Sequence, residues 1–301
     1  MLADRPNFYL AFIGLLCCLS ALTGCITSAP GPSAGSIEVL SYNVHGLPSA
    51  ITGDDTTARQ ELIAPLLNNY DLVGLQESFI DSDHKILAAA ANHSSQSRFA
   101  ATYEPDRVYG SGLAAFMRFN IIEVFNEHYS TCNGTFDAAS DCLASKGFQV
   151  LRIELAPGLE LDFYNTHLEA GGSAADDEAR SPQIDQLITS LIGRSLGRAV
   201  IFTGDFNLHR VPEQPADIEM IDRLTTAGQL LDVCESLDCP DPTRIDRIFY
   251  RDSAEVILEP TVWSVEQEFV DKQGVNLSDH QPIHATITWG REPGAQPNVK
   301  R

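Results

Sequence analysis

Apolar and polar positions along this chain fall into short blocks whose period changes repeatedly. Residues 37–44 (Ile-Glu-Val-Leu-Ser-Tyr-Asn-Val) alternate with the two-residue period of a strand entering a core. Across residues 59–69, Leu62, Ile63, Leu66 and Leu67 recur at helical spacing. Residues 72–75 and 112–117 are short apolar runs of the kind that form buried strands. Residues 149–155 and 159–166 flank Pro157-Gly158, which predicts a hairpin. Residues 178–192 predict an amphipathic helix, with Pro182 compatible only with its first turn. A fully apolar strand is expected at 199–203 and a helix at 217–227, followed by strands at 245–250, 256–263 and 282–289. Strands with helices interspersed imply an α+β fold, two packed sheets flanked by helices.

The two ends lie outside this pattern. Residues 8–22 are apolar but too short for a comfortable membrane span. They run into Leu22-Thr23-Gly24-Cys25, which resembles the lipobox of bacterial lipoprotein signal peptides. The resemblance implies that residues 1–24 are a signal peptide and that Cys25 is lipidated and becomes the mature N-terminus. The protein is then exported and lipid-anchored to the cell envelope, at the outer membrane if the host has one. Several acyl chains on one Cys hold a protein stably at a membrane. The alternative is an ordinary secretory signal with a chance Cys. Residues 25–36 read as a tether, 37–290 as one domain, and 291–301 as a loose tail.

Charge narrows the partners. With 20 Lys and Arg against 41 Asp and Glu, the formal net charge is -21. That field repels polyanions and argues against nucleic acid as a partner, without excluding a metal site built from carboxylates. No protein partner is implied. Beyond Cys17, Cys18 and Cys25, four cysteines remain of the seven. Export favours disulfides, and the local pairs Cys132 with Cys142 and Cys234 with Cys239 are the simplest connectivity. A zinc site is the sharper alternative, but no His has finger-like spacing to these residues.

Candidate chemistry sits where apolar runs end. Asn43 closes the first strand, Glu77 follows the second, and His167 ends the second arm of the hairpin. Asp205 and Asn207 follow the run 200–204, Asp246 opens a later strand, and Asp279 and His280 precede the last. One such residue is an ordinary polar cap. Six such strand ends can converge on one cleft if the strands belong to facing sheets. A cluster of Asn, Glu, Asp and His suits magnesium-assisted hydrolysis of a phosphate ester. Magnesium prefers hard oxygen ligands, and a His oriented by a carboxylate can deprotonate water. There is no His-Glu-x-x-His zinc motif, no Gly-x-Ser-x-Gly elbow and no phosphate loop ending in Lys-Ser/Thr.

Taken in order, Ser41-Tyr42-Asn43-Val44, Leu75-Gln76-Glu77, Asn165-Thr166-His167-Leu168, Thr203-Gly204-Asp205-Phe206-Asn207, Arg244-Ile245-Asp246-Arg247 and Ser278-Asp279-His280-Gln281-Pro282 resemble the signature of the endonuclease/exonuclease/phosphatase superfamily. Pancreatic-type deoxyribonuclease, neutral sphingomyelinases and inositol polyphosphate 5-phosphatases belong to it. The resemblance implies a four-layer α/β sandwich and a Mg2+ cofactor held by Glu77, with Asn43 and Asp279 completing or supporting the site. It further implies that Asp205 and Asn207 position water and phosphate and that His280 is the general base, oriented by Asp246. His167 would bond a phosphoryl oxygen or protonate the leaving group. His45 and His209, close to these motifs, are weaker candidates for substrate contact. His84, His93 and His128 read as surface residues.

The substrate is less legible. His167-Leu168-Glu169-Ala170, followed by Arg180 and Gln183, is similar to a stretch of neutral sphingomyelinases, as is 43–48 (Asn-Val-His-Gly-Leu-Pro), although Glu169 replaces the usual Gln. The reading is a sphingomyelinase-like phosphodiesterase acting on phospholipid. A secreted endonuclease and a non-catalytic surface-binding lipoprotein are the alternatives.

Overall fold

The structure is a computed structural model that describes residues 32–102, 107–134, 141–241 and 243–291. The expected signal peptide, Cys25 and residues 292–301 of the expected tail lie outside the described residues. In chain order the strands are β1 (Ala34–Asn43), β2 (Leu72–Gln76), β3 (Ser95–Phe99), β4 (Leu113–Met117), β5 (Asn120–His128) and β6 (Gly147–Ala156). There follow β7 (Leu159–His167), β8 (Ala199–Asp205), β9 (Leu231–Asp232), β10 (Asp246–Arg251), β11 (Val256–Val265) and β12 (Ile283–Arg291). The helices are α1 (Ser49–Thr52), α2 (Thr56–Leu66), α3 (Asp81–Ala90), α4 (Ala174–Gly193), α5 (Pro215–Gly228) and α6 (Val233–Ser236). Two six-stranded sheets result, in the orders β11-β12-β1-β2-β4-β3 and β5-β6-β7-β8-β10-β9. Both are mixed, because β1 runs parallel to β2 and β7 parallel to β8.

Three apolar layers hold these elements. Ile37, Val39, Leu151, Leu161, Phe163, Ile201, Ile248 and Ile287 fill the space between the sheets. Alternate residues of the same strands point outward, as strand geometry requires. Leu40, Tyr42, Val73 and Phe116 meet Ile63, Ala64 and Leu87 of α2 and α3. Tyr164, Val200 and Phe202 meet Ile184, Leu187, Met220 and Leu224 of α4 and α5. The architecture is therefore helix, sheet, sheet, helix.

Several boundaries differ from the sequence expectation. β1 begins inside the expected tether, because Ala34, Gly35 and Ser36 pair with Gly290, Trp289 and Thr288. Backbone pairing needs no apolar side chain. Arg291 closes β12 instead of opening a tail, and its N–H bonds Ser33 O at 2.8 Å. α4 starts four residues earlier than expected, at a capping box made by Ser173 and Asp176, so Pro182 lies in its interior. A proline there removes one helical hydrogen bond. The buried face of Ala179, Ile184, Leu187 and Leu191 holds the helix regardless. The edge strands β3 and β5 and the helix α3 carry few buried residues, so the apolar pattern did not reveal them.

The histidines expected at the surface are more enclosed. His93 is buried with Nε2 at 3.0 Å from Tyr70 O, and His128 Nδ1 lies 2.7 Å from Ser145 O. His84 is half-buried beside Phe116, and burial pushes its pKa down to about 4, helped by the Arg98 charge. Both expected disulfides are formed, with Cα–Cα distances of 5.3 Å for Cys132–Cys142 and 5.0 Å for Cys234–Cys239. These four residues are thereby unavailable to zinc.

Candidate active site

Strand register brings the acidic residues together before any side chain is considered. Asp205, the last residue of β8, is paired with His167 at the end of β7 and with Asp246 at the start of β10. In the other sheet Asn43 pairs with Gln76, which places Glu77 on the next step. Asn43 then joins the sheets: its Nδ2 donates to Glu77 Oε1 at 2.9 Å and to Asp205 Oδ2 at 3.0 Å. His280 arrives on the loop before β12. Its Nδ1 bonds Asp246 Oδ2 at 2.8 Å, and its Nε2 lies 3.6 Å from Asp205 Oδ2. His167 Nε2 is 3.4 Å from the same oxygen. One carboxylate oxygen of Asp205 thus faces Asn43, His167 and His280.

Asn207 stands next to this cluster. Its N–H donates to Asp205 Oδ1 at 3.1 Å and its Nδ2 to Leu168 O at 3.2 Å. Asp279 is the member that stands apart. It is exposed, and its partners are His45 Nδ1 at 3.1 Å and the Ser278 hydroxyl at 3.2 Å. Among the described residues, the group of three acidic or imidazole side chains whose ligand atoms all lie within 4.8 Å of one another is Asp205, Asp246 and His280. His209 turns to Asp217, with Nδ1 3.4 Å from its Oδ2.

Backbone strain concentrates here. Of the five non-glycine residues with positive φ among the described residues, three are His45 (46°), Glu77 (61°) and Asn207 (49°). Gly46 lets the loop after β1 lie against Glu77, because a Cβ there would collide with the Glu77 carbonyl oxygen. Gly74 plays the same part between the sheets, where a Cβ would strike the Thr203 hydroxyl.

Electrostatics follow from enclosure and crowding. Burial raises the pKa of Glu77. Burial and the adjacent Asp246 charge raise Asp205 to about 7. His280 is pulled down by burial, but the Asp246 hydrogen bond and the surrounding carboxylates prevail and raise it to about 10. His167 is driven well below the usual imidazole range by burial, then by the Lys146 and His280 charges, so it is neutral. For Asp279 partial burial raises the pKa, but the His45 hydrogen bond and charge outweigh it and hold the group at about 2.

Sequence reasoning missed two supports. The buried Lys146 ammonium donates to Leu168 O at 2.8 Å and pairs with Asp141 Oδ1 at 2.7 Å, directly behind His167. The Ser278 hydroxyl donates to Asn43 O at 2.7 Å and accepts from His280 N at 3.2 Å. A lone Lys before an apolar run carries no signal of burial. Ser278 was visible only as part of its motif.

A family model described as the Endonuclease/Exonuclease/phosphatase family matches residues 40–280, which include Asn43, Glu77, His167, Asp205, Asn207, Asp246, Asp279 and His280. The chain belongs to that family. Within the endonuclease/exonuclease/phosphatase family, it is 27% identical over 271 residues to proteins named sphingomyelinase from Mycobacterium tuberculosis and Mycobacterium bovis, matching 83% of this chain and 52% of theirs. The chain spans about half the length of the curated relatives it matches. Sphingomyelinase C from Streptomyces griseocarneus superposes with a TM-score of 0.63 at 17% identity, covering 84% of this chain and 99% of that one. A humanized TDP2 from D. rerio gives 0.64 at 20% identity, covering 84% and 98%. A beta toxin variant from Staphylococcus aureus, crystallised with bound magnesium ions, gives 0.62 at 17%, covering 83% and 99%. These likenesses establish the shared two-sheet fold.

Proposed function

We propose that this chain is a magnesium-dependent phosphodiesterase in which His280, oriented by Asp246, takes the proton of the attacking water. The observation that carries the reading is the meeting of Asn43, His167 and His280 on one oxygen of Asp205, drawn from both sheets. The donor set fits a hard cation. Glu77 and Asp205 are enclosed carboxylates that both meet Asn43, and Asp246 Oδ1 is buried with no hydrogen-bond partner. Glu77 and Asn43 would hold the ion, with Asp279 in support. When bound, magnesium neutralises charge on the phosphoryl and leaving oxygens.

The chain's own groups do the rest. Asp246 fixes the His280 ring through Nδ1, leaving Nε2 to face Asp205 and the water. The carboxylate charge that holds the ring protonated would be offset by a bound cation, freeing Nε2 to accept a proton. Asp205 and Asn207 position the water and the phosphate. His167, neutral in its enclosed setting, hydrogen-bonds a phosphoryl oxygen. For substrate, the sphingomyelinase relatives, the stretch from His167 to Gln183 and the net charge of -21 favour a phospholipid over a nucleic acid. The lipobox-like Leu-Thr-Gly-Cys segment supports an exported, lipid-anchored protein. A Cys25→Ser variant should leave the membrane fraction, and its retention there would reject the anchor.

The decisive experiment offers sphingomyelin, other phospholipids, DNA and inositol phosphates with magnesium to the parent, Glu77→Ala and His280→Ala proteins. Phosphocholine release by the parent, falling about 10⁴-fold or more in both variants and abolished by EDTA, is expected. Near-parental turnover in Glu77→Ala would reject the site assignment. Release of acid-soluble nucleotides instead of phosphocholine would transfer the reading to a nuclease.

A further inference from the structure

Arg59 takes no direct part in the chemistry proposed above, yet its side chain is committed to the loops that carry it. It lies in the first turn of α2, and its side chain is 12% exposed. Nη1 donates to Val44 O at 3.1 Å and to Leu277 O at 2.8 Å. Nη2 donates to His45 O at 2.8 Å, and Nε to Asp54 Oδ2 at 2.9 Å. Val44 and His45 directly follow Asn43, while Leu277 directly precedes Ser278, Asp279 and His280. One planar fork therefore ties together the two loops that bring Asn43 and the Asp279-His280 pair to the site.

We infer that Arg59 is a positioning residue that sets the spacing between the Asn43–Glu77 side of the site and the His280–Asp246 side. The inference rests on the hydrolytic reading above and adds a residue to it.

Three features separate this from ordinary helix anchoring. The α2 helix is already seated by its buried Ile63 and Ala64, and Arg59's hydrogen bonds go to the loops, to Asp54 and to Thr56, not to the core beneath the helix. The carbonyls it holds belong to a segment in left-handed backbone at His45, a conformation that reverts unless its surroundings enforce it. Three carbonyls on two loops also require donors spread across a plane. A lysine, with its three donors at a single nitrogen, cannot reach them together.

The test compares the parent chain with Arg59→Lys and Asp54→Ala, measuring kcat, KM and the rise in melting temperature on adding magnesium. Arg59→Lys keeps the charge and loses the fork. Its kcat should fall about 100-fold, the scale of a misplacement near 1 Å, with KM within about twofold because Arg59 does not touch substrate. Its magnesium-induced rise in melting temperature should shrink, because Asn43 and Asp279 no longer hold their spacing. Asp54→Ala removes only the outer anchor of the fork and should shift the same quantities in the same direction, with kcat down about tenfold. Parental kcat and a parental magnesium response in a folded Arg59→Lys protein would overturn the proposal. If Arg59→Lys does not fold, parental values in Asp54→Ala would overturn it as well. The magnesium response reads the clamp separately from turnover. A parent that hydrolyses none of the phosphodiesters but binds magnesium, with a weakened response in Arg59→Lys, would fail the hydrolytic reading and leave the clamp standing.

Discussion

The space between the two sheets is one continuous interface with two different ends. At one end Ile37, Val39, Leu161, Phe163, Ala199 and Ile201 make a dry apolar layer. At the other, the same inward rows of the same strands turn polar. Along β1 the row reads Ile37, Val39, Ser41, Asn43; along β7 it reads Leu159, Leu161, Phe163, Asn165, His167; along β8 it reads Ala199, Ile201, Thr203, Asp205. All of these residues are buried. Hydrogen bonds run across the interface here: Gln76 Nε2 donates to Asn165 Oδ1 at 2.7 Å, and Asn165 Nδ2 donates to Leu75 O at 2.9 Å and Ala114 O at 3.1 Å. The apolar end has no directional requirement and supplies cohesion. The polar end supplies little net stability per bond, but each bond fixes a distance and an angle. Cohesion and positioning are thus divided along the length of each strand.

This division can be broken experimentally. The largest stability loss is expected from Phe163→Ala, about 3–5 kcal/mol from lost burial and the cavity left behind, measured by chemical denaturation. The molecules that remain folded should keep most of their turnover. Asn165→Leu should cost less stability, about 1–3 kcal/mol for stranding its buried hydrogen-bond partners. Its effect on turnover should be the greater of the two, because Asn165 lies one inward step behind His167. If the two variants lose stability and turnover in equal proportion, the division does not exist.

The smallest effect concerns the outer layer. His84 has a folded pKa of about 4, against an ordinary value of 6.5. The unfolded chain therefore binds more protons between those values, so stability should fall as pH drops from about 6.5 toward 4. His84→Gln should flatten that part of the melting-temperature profile and leave the profile above pH 7 unaltered in shape. An unchanged acid slope in the variant would show that His84 is not the group responsible.

Much of this was legible in the chain. The long two-faced strands were visible because residues buried on both sides leave unbroken apolar runs, as at Val200 to Phe202. The candidate site residues were visible because each one interrupts such a run at its end. The edge strands β3 and β5 were not, since a strand paired on one side and wet on one face has no apolar pattern to display. Lys146 and Arg59 were not, because a charged side chain reads as solvated until its buried partners are known.

The sequence by itself determined the period of each element, the polar residue at each strand end and the family signature, since these are local properties of neighbouring residues. Tertiary structure alone decided that Asn43 spans from Glu77 to Asp205, that Asp279 faces His45, and that Arg59 ties Val44 and His45 to Leu277. Those contacts join residues between 14 and 234 positions apart. They depend on strand register and sheet packing, which no short window of the chain encodes.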